Sequence, residues 1–174
     1  MKMQFTYNIF LIGFMGSGKS TVADYLCEKF DMDVVEMDQV IAERERMSIS
    51  DIFEKHGELY FRDLETKLLV ELQEKTNTVV SCGGGVAMRE CNVTEMKKNG
   101  KVVLLTAKPE TILERVENNH DRPLLENNKT VAYMAELMGK RREKYEAAAD
   151  MIIETDGKSA QKICEEMIQR LGEQ

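Results

Sequence analysis

The sequence predicts a single α/β domain: a three-layer sandwich in which a five-stranded parallel sheet carries helices on both faces. Three observations predict it. Short, continuously apolar runs recur along the chain, which is how strands covered on both faces read. Helix-prone segments separate those runs, as parallel strands require. The first run passes straight into a glycine-rich loop and then a helix, the strand–loop–helix order of a phosphate site at the carboxyl edge of a sheet. At 174 residues and 43% hydrophobic content the chain is long enough for one well-buried domain and short for two, so residues 1–174 are expected to form one unit.

The first strand is expected from Tyr7 to Ile12, and it hands over to Gly13-Phe14-Met15-Gly16-Ser17-Gly18-Lys19-Ser20. That run meets every fixed position of a phosphate-binding loop: glycines let backbone N–H groups turn in on phosphate oxygens, Lys19 reaches the β/γ-phosphates, and the Ser20 hydroxyl is a ligand for Mg²⁺. Thr21 to Phe30 carries Val22, Leu26 and Phe30 at i, i+4, i+8, a helix whose positive end faces the loop. Asp33 to Asp38 reads as the second strand, ending in acids, with a helix-prone stretch from Gln39 to Arg46 behind it. Ser48 to Phe53 opens a short helix, and Phe61, Leu64, Leu68 and Leu72 mark a longer amphipathic one from Glu58 to Lys75. Thr78–Ser81, Lys101–Thr106 and Met151–Glu154 complete the strands, the first of them broken by Gly83-Gly84-Gly85. Helices are expected near Val93–Lys98, Glu110–Glu117, Val131–Ala148 and Ser159–Leu171. A polar, asparagine-rich stretch from Asn118 to Lys129 stands between two helices and reads either as a mobile flap carrying Arg122 or as an ordinary surface loop.

Several function classes are excluded by composition. A net charge of −7 and a pI near 5.1 argue against a nucleic-acid surface, which needs a basic stripe. Four scattered cysteines without a CxxC pair suggest neither a zinc site nor a disulfide framework, and fit reduced thiols in the cytoplasm. No segment reaches the roughly 18 apolar residues of a spanning helix, and the apolar N-terminus lacks a small-residue cleavage site, so a soluble, unexported protein is expected. Cys82 beside the triple glycine reads as a small buried thiol, and His56 and His120 have no ligand-spaced partners.

Chemistry beyond the loop rests on a few side chains. The best apolar strand ends in Ser81, so the strand-end aspartate that holds Mg²⁺ in many phosphate-loop hydrolases is missing there. Glu36 and Asp38 are the well-placed carboxylates. They are expected to point to opposite sides at the end of the second strand and so to take different tasks, one holding the metal's water shell and the other accepting a proton from an attacking hydroxyl. Asp38 also fits a helix N-cap. Gly83, Gly84 and Gly85 let a small polar ligand approach the backbone. Arg62, with Glu65 three residues later, is either a surface ion pair or a guanidinium oriented by its neighbour. In Lys140-Arg141-Arg142-Glu143-Lys144-Tyr145 most charges should be a solvated face, with a single one pointing inward.

Taken together these pieces resemble the shikimate kinases, a family of the P-loop NTPase fold in its nucleoside-monophosphate-kinase-like group, and the resemblance runs in order along almost the whole chain. It rests on Gly13 to Ser20 with Thr21, Glu36-Met37-Asp38, Phe61-Arg62-Asp63-Leu64-Glu65, Gly83-Gly84-Gly85, Arg122-Pro123-Leu124-Leu125 and Arg141 through Tyr145. It implies transfer of the ATP γ-phosphoryl group to the 3-hydroxyl of shikimate, with Mg²⁺ as cofactor, in a cytoplasmic protein expected to be a monomer. It also implies roles. Arg62 and Arg141 would clamp the substrate carboxylate, Glu65 would orient Arg62, and Phe53 and Phe61 would wall the ring. Asp38 and the backbone at Gly83, Gly84 and Gly85 would bind ring hydroxyls, and residues 39–75 would form the substrate-binding helices. Lys19 and Arg122 would neutralise the phosphoryl group in transit, Ser20 and, through water, Glu36 would hold the metal, and Arg115 would stack on adenine. The flap at about 118–129 would close as a lid, with Arg122 brought in only after shikimate binds. Two positions depart from the family: Glu36 stands where aspartate is usual, and Glu143 where many members carry proline. A gluconate or nucleoside-monophosphate kinase, and a nucleotide-binding module without catalysis, are the competing readings. The triple glycine with the Phe-Arg-x-x-Glu helix weighs against the first, and the joint presence of Asp38, Arg62, Arg122 and Arg141 against the second.

Overall fold

The computed structural model describes residues 4–116 and 130–172. Five strands form one sheet: β1 (Asn8–Ile12), β2 (Asp33–Glu36), β3 (Thr78–Ser81), β4 (Gly100–Thr106) and β5 (Met151–Glu154). All described pairings are parallel and the order is β2-β3-β1-β4-β5, which puts the strand feeding the glycine-rich loop in the centre. Helices fill the crossovers, α1 (Lys19–Phe30), α2 (Met37–Glu45), α3 (Ile49–His56), α4 (Glu58–Glu71), α5 (Glu90–Lys98), α6 (Pro109–Val116) and α7 (Val131–Ala148), and α8 (Ala160–Gly172) follows β5. The helix expected over Gln39–Arg46 begins at Met37 and ends at Glu45, and the amphipathic run expected to reach Lys75 closes as a helix at Glu71 and tightens into a 3-10 turn over Leu72–Glu74. α7 runs unbroken through Glu143.

Alternation along the strands divides the interior in two, because successive strand side chains point to opposite faces. Phe10 and Ile12 join Met37, Ile41, Ile52, Phe61, Leu68, Met96 and Met134 beneath α2 to α7, while Ile9 and Leu11 join Val22, Leu26, Val103, Ile153 and Met167 beneath α1 and α8. The sheet is therefore covered on both faces, as its apolar strands predict. Asn8, fully buried at the start of β1, ties the opposite edge: its side chain donates to the carbonyls of Leu72 and Lys75 and accepts from Thr78 N–H.

Register brings the strand ends into line. Ser81 pairs with Leu11 on one side and with Glu36 on the other, so the loop after β1, the acid ending β2 and the glycines after β3 open at one level. That crevice, outside the carboxyl ends of the strands, is where ligands bind in such sheets.

Candidate active site

The loop after β1 is shaped by its glycines. Gly16 (φ 79°) and Gly18 (φ 102°) take left-handed backbone conformations, and α1 starts at Lys19 without a side-chain cap, which leaves its first N–H groups available to an anion. Lys19 Nζ donates to the carbonyls of Gly13 (2.6 Å) and Phe14 (3.1 Å) and lies within the loop's span. Ser20 and Thr21 are exposed in the first turn of α1. Ser17 is turned the other way: its N–H donates to Phe14 O within the loop, while its buried hydroxyl has no hydrogen-bond partner among the described residues. A small cavity of about 100 Å³ behind the loop is lined by Ser17, Phe14, Leu105, Ile112 and Tyr145. Arg115, near the end of α6, donates to Gly16 O (3.0 Å) and Thr155 Oγ1 (3.1 Å), which docks the segment after β5 against the loop.

The acid pair is arranged differently from the strand expected through Asp38. β2 ends at Glu36, and Asp38 lies in the first turn of α2, whose N-cap is Glu36. Two residues apart on a continuing strand would have shared one face; the change to helix at Met37 is what separates them. Asp38 is thus neither a strand residue nor the N-cap. Glu36 accepts hydrogen bonds from Ser20 and Ser81, on the loop side. Burial raises its carboxyl above the ordinary value, those hydrogen bonds oppose the rise, and Asp24 and Asp38 add to it. Asp38 faces away, toward Gly83 and Glu65.

Around the triple glycine, four charged side chains converge. A Cβ at Gly83 would stand 2.8 Å from Asp38 Oδ1 and 2.9 Å from Glu65 Oε2, one at Gly84 would stand 2.8 Å from Arg141 Nη1, and one at Gly85 would fall on the Arg62 guanidinium. Absence of Cβ is what lets these groups crowd the turn. Arg62 donates through Nη1 to Glu65 Oε1 (2.8 Å) and through Nη2 to Glu58 Oε2 (3.2 Å), and lies 5.9 and 5.3 Å from the ring centroids of Phe53 and Phe61. Burial would depress the Arg62 guanidinium, but Glu65 and Glu58 outweigh it and the net shift is upward. Glu65 is fully buried, and burial pushes its carboxyl up to about 7 against the opposing pull of Arg62. Its Oε2 has no hydrogen-bond partner among the described residues. Of the two readings open for Arg62, the geometry is that of an oriented guanidinium, its side chain 18% exposed and backed by a buried acid.

Arg141, on α7, is the half-buried charge of its run. It lies 5.9 Å from the Phe14 ring centroid and hydrogen-bonds the Tyr145 hydroxyl, which itself donates to Gly84 O at 2.6 Å. Arg62, Gly85 and Arg141 line a cavity of about 360 Å³ together with Glu58, Leu59, Met88 and Arg89. Sequence reasoning missed the last four, and it placed Tyr145 in a motif with Arg141 without giving it a role. Glu58 was within reach of it, one helical turn before Arg62. Met88 and Arg89 were not, since they arrive through the 3-10 turn Val86–Met88, held by Asn92, whose amide donates to Val86 O (2.9 Å). Cys82 is buried, with its thiol pushed up by burial, which leaves no thiolate for nucleophilic chemistry. Arg122 and the flap at 118–129 lie outside the described residues.

The donor atoms beside the loop, a serine hydroxyl against a carboxylate, are oxygen only. That suits a hard cation which keeps its waters and takes phosphate oxygens, as Mg²⁺ does, and no cluster of three or more acidic, histidine or cysteine ligands occurs among the described residues.

Comparison with known proteins gives a consistent result. The sequence model of the family described as "Shikimate kinase" matches residues 15–172. A curated shikimate kinase of Persephonella marina is 44% identical, covering 94% of this chain and 98% of its own. The solved shikimate kinase of Acinetobacter baumannii, in complex with shikimate, superposes with a TM-score of 0.88 at 33% identity, over 95% of this chain and 92% of that one. A gluconokinase from Sinorhizobium meliloti superposes with a TM-score of 0.61 at 17% identity, over 98% of this chain and 94% of that one, a likeness of fold alone.

Proposed function

The chain belongs to the shikimate kinase family, whose members phosphorylate shikimate with ATP, and on that premise we propose how its residues divide the transfer of the γ-phosphoryl group to the 3-hydroxyl. Lys19, Arg115 and the N–H groups from Gly13 to Thr21 hold the nucleotide, with Arg115 against adenine. Arg62 and Arg141 clamp the shikimate carboxylate, Glu65 holds Arg62 in its orientation, Phe53 and Phe61 wall the ring, and the backbone at Gly83, Gly84 and Gly85 approaches its hydroxyls. Asp38 accepts the proton of the attacking hydroxyl and orients it. Lys19 and Arg122 spread the charge of the phosphoryl group in flight, the lid at about 118–129 bringing in Arg122 only after shikimate binds.

Ser20 and Glu36 would hold Mg²⁺, Glu36 through water, and the ion when bound would neutralise charge on the phosphates. Glutamate in place of the family's usual aspartate suits this task, because its carboxylate meets the Ser20 hydroxyl. We place the whole reaction on one domain over residues 1–174, acting as a cytoplasmic monomer, with α2 to α4 as the substrate-binding helices of the expected 39–75 region. No described helix is long and apolar enough to cross a membrane.

The observation that carries this reading is the crowding of Asp38, Glu65, Arg141 and Arg62 against the three successive glycines. A nucleotide module without an acceptor has no use for two guanidiniums and an acid converging beside its loop. The test is ADP release with shikimate, gluconate and nucleoside monophosphates as acceptors. Release with shikimate alone is expected; a faster reaction with either rival would reassign the pocket, and no release with any would leave a binding module.

A further inference from the structure

Arg62 is held by two carboxylates of its own helix, and the two differ in kind. Glu65, three residues on, takes Nη1 at 2.8 Å, is fully buried, and is closed in by Gly83 and Asp38. Glu58, four residues back, takes Nη2 at 3.2 Å and keeps 67% of its side chain exposed. Little confines it: Glu58 is the first residue of α4 and follows Gly57, around which there is open space. Glu58 nevertheless lines the same 360 Å³ cavity as Arg62 and Arg141. With the rings of Phe53 and Phe61 beside the guanidinium, its edges are left for hydrogen bonding, and each terminal nitrogen already meets a carboxylate.

A clamp meant for a carboxylate thus already holds one. We propose that Glu58 is a specificity-determining residue that competes with the acceptor: it occupies the Nη2 side of Arg62, yields to an incoming carboxylate, and returns as the acceptor leaves. The inference rests on the reading of Arg62 as the carboxylate clamp. An exposed ion pair at i, i+4 contributes little, so giving it up costs little, whereas a paired carboxylate–guanidinium contact inside a cavity is the stronger bond. Exchange therefore runs toward the bound acceptor without being one-sided. Charge points the same way. Arg89, the third guanidinium of the cavity, is engaged by Asp63 at 3.0 Å, which leaves Glu58 as the acid that lines the cavity beside Arg62 and Arg141. Once displaced, Glu58 stays an anion at the rim and repels a second negative group at that end of the acceptor. A monocarboxylate is then favoured over a dicarboxylate of similar shape.

Phosphoryl transfer leaves the carboxylate untouched, so the competition bears equally on substrate and product. Glu58→Gln, nearly isosteric, and Glu58→Ala, each checked for an unchanged melting temperature, are compared with the parent chain and with Arg62→Lys in steady-state kinetics. In both Glu58 variants KM for shikimate is expected to fall by about threefold, the inhibition constant of shikimate 3-phosphate to fall by the same factor, and KM for ATP to stay where it is. If Arg62→Lys raises KM for shikimate while both Glu58 variants leave it unchanged or raise it, the competitor role is overturned and the clamp stands. An Arg62→Lys variant with unchanged KM for shikimate overturns the clamp itself. A fall in the substrate constant without one for the product also contradicts the proposal.

Discussion

The donor loop and the acceptor pocket open at the same edge of the sheet and are built in contrasting ways. The loop is one contiguous run, Gly13 to Ser20, in which the backbone makes the site and glycines supply conformations that other residues resist. The pocket is drawn from four separate segments: Asp38 on α2, Phe53 to Glu65 across α3 and α4, Gly83 to Gly85 after β3, and Arg141 with Tyr145 on α7. There side chains make the site, and glycines supply room. The contrast teaches that changes in the pocket should separate the acceptor from the nucleotide, whereas changes in the loop should harm whatever needs the nucleotide.

Asp38→Asn should strike hardest. It removes the proton acceptor while leaving the loop intact, so kcat is expected to fall by about 10²–10⁴ with ATP binding retained. Near-parental kcat in a stopped assay of ADP formation would remove Asp38 as base. Next comes Arg62→Ala, which leaves a bound carboxylate short of its charge partner. KM for shikimate should rise by about thirtyfold or more, from a loss of about 2–5 kcal/mol, against little change for ATP; equal effects on both constants would erase the division between the two regions.

Glu65 offers a subtler break, because it acts through Arg62 and is a positioning residue. Burial raises its carboxyl from 4.5 to about 7, so the folded chain keeps a proton over an interval in which the unfolded chain has lost it. That contribution to stability is fully present below pH 4.5 and is lost as pH rises through about 7. Glu65→Gln cannot titrate. The stability of the parent minus that of the variant, from urea unfolding, should therefore decline by ~3 kcal/mol between those limits. A flat difference would mean that Arg62 keeps Glu65 ionised throughout.

The same contrast explains how much could be read from the sequence. β1, the loop and α1 follow from neighbouring residues, and the structure puts the helix start at Lys19, directly after the last loop glycine. The triple glycine and the Arg62–Glu65 spacing were visible too, but not that Glu65 is fully buried, which depends on Gly83 yielding space from a distant segment. Asp38 was assigned to a strand because Val34, Val35 and Met37 are too few apolar positions to separate a period of 2 from one of 3.6. Arg89 escaped notice because the 3-10 turn Val86–Met88 delivers it to the cavity and its partner Asp63 stands 26 residues away.

Gly85→Ala tests the central claim most directly, since a Cβ there would fall on the Arg62 guanidinium while lying outside the donor loop. Calorimetric titration of the parent and the variant with shikimate, and separately with ADP, gives the two affinities side by side. The variant should bind shikimate at least about tenfold more weakly, a loss of roughly 1.4 kcal/mol, with its ADP affinity unchanged. Unchanged shikimate affinity, or an equal loss for both ligands, would contradict an acceptor pocket built on the triple glycine.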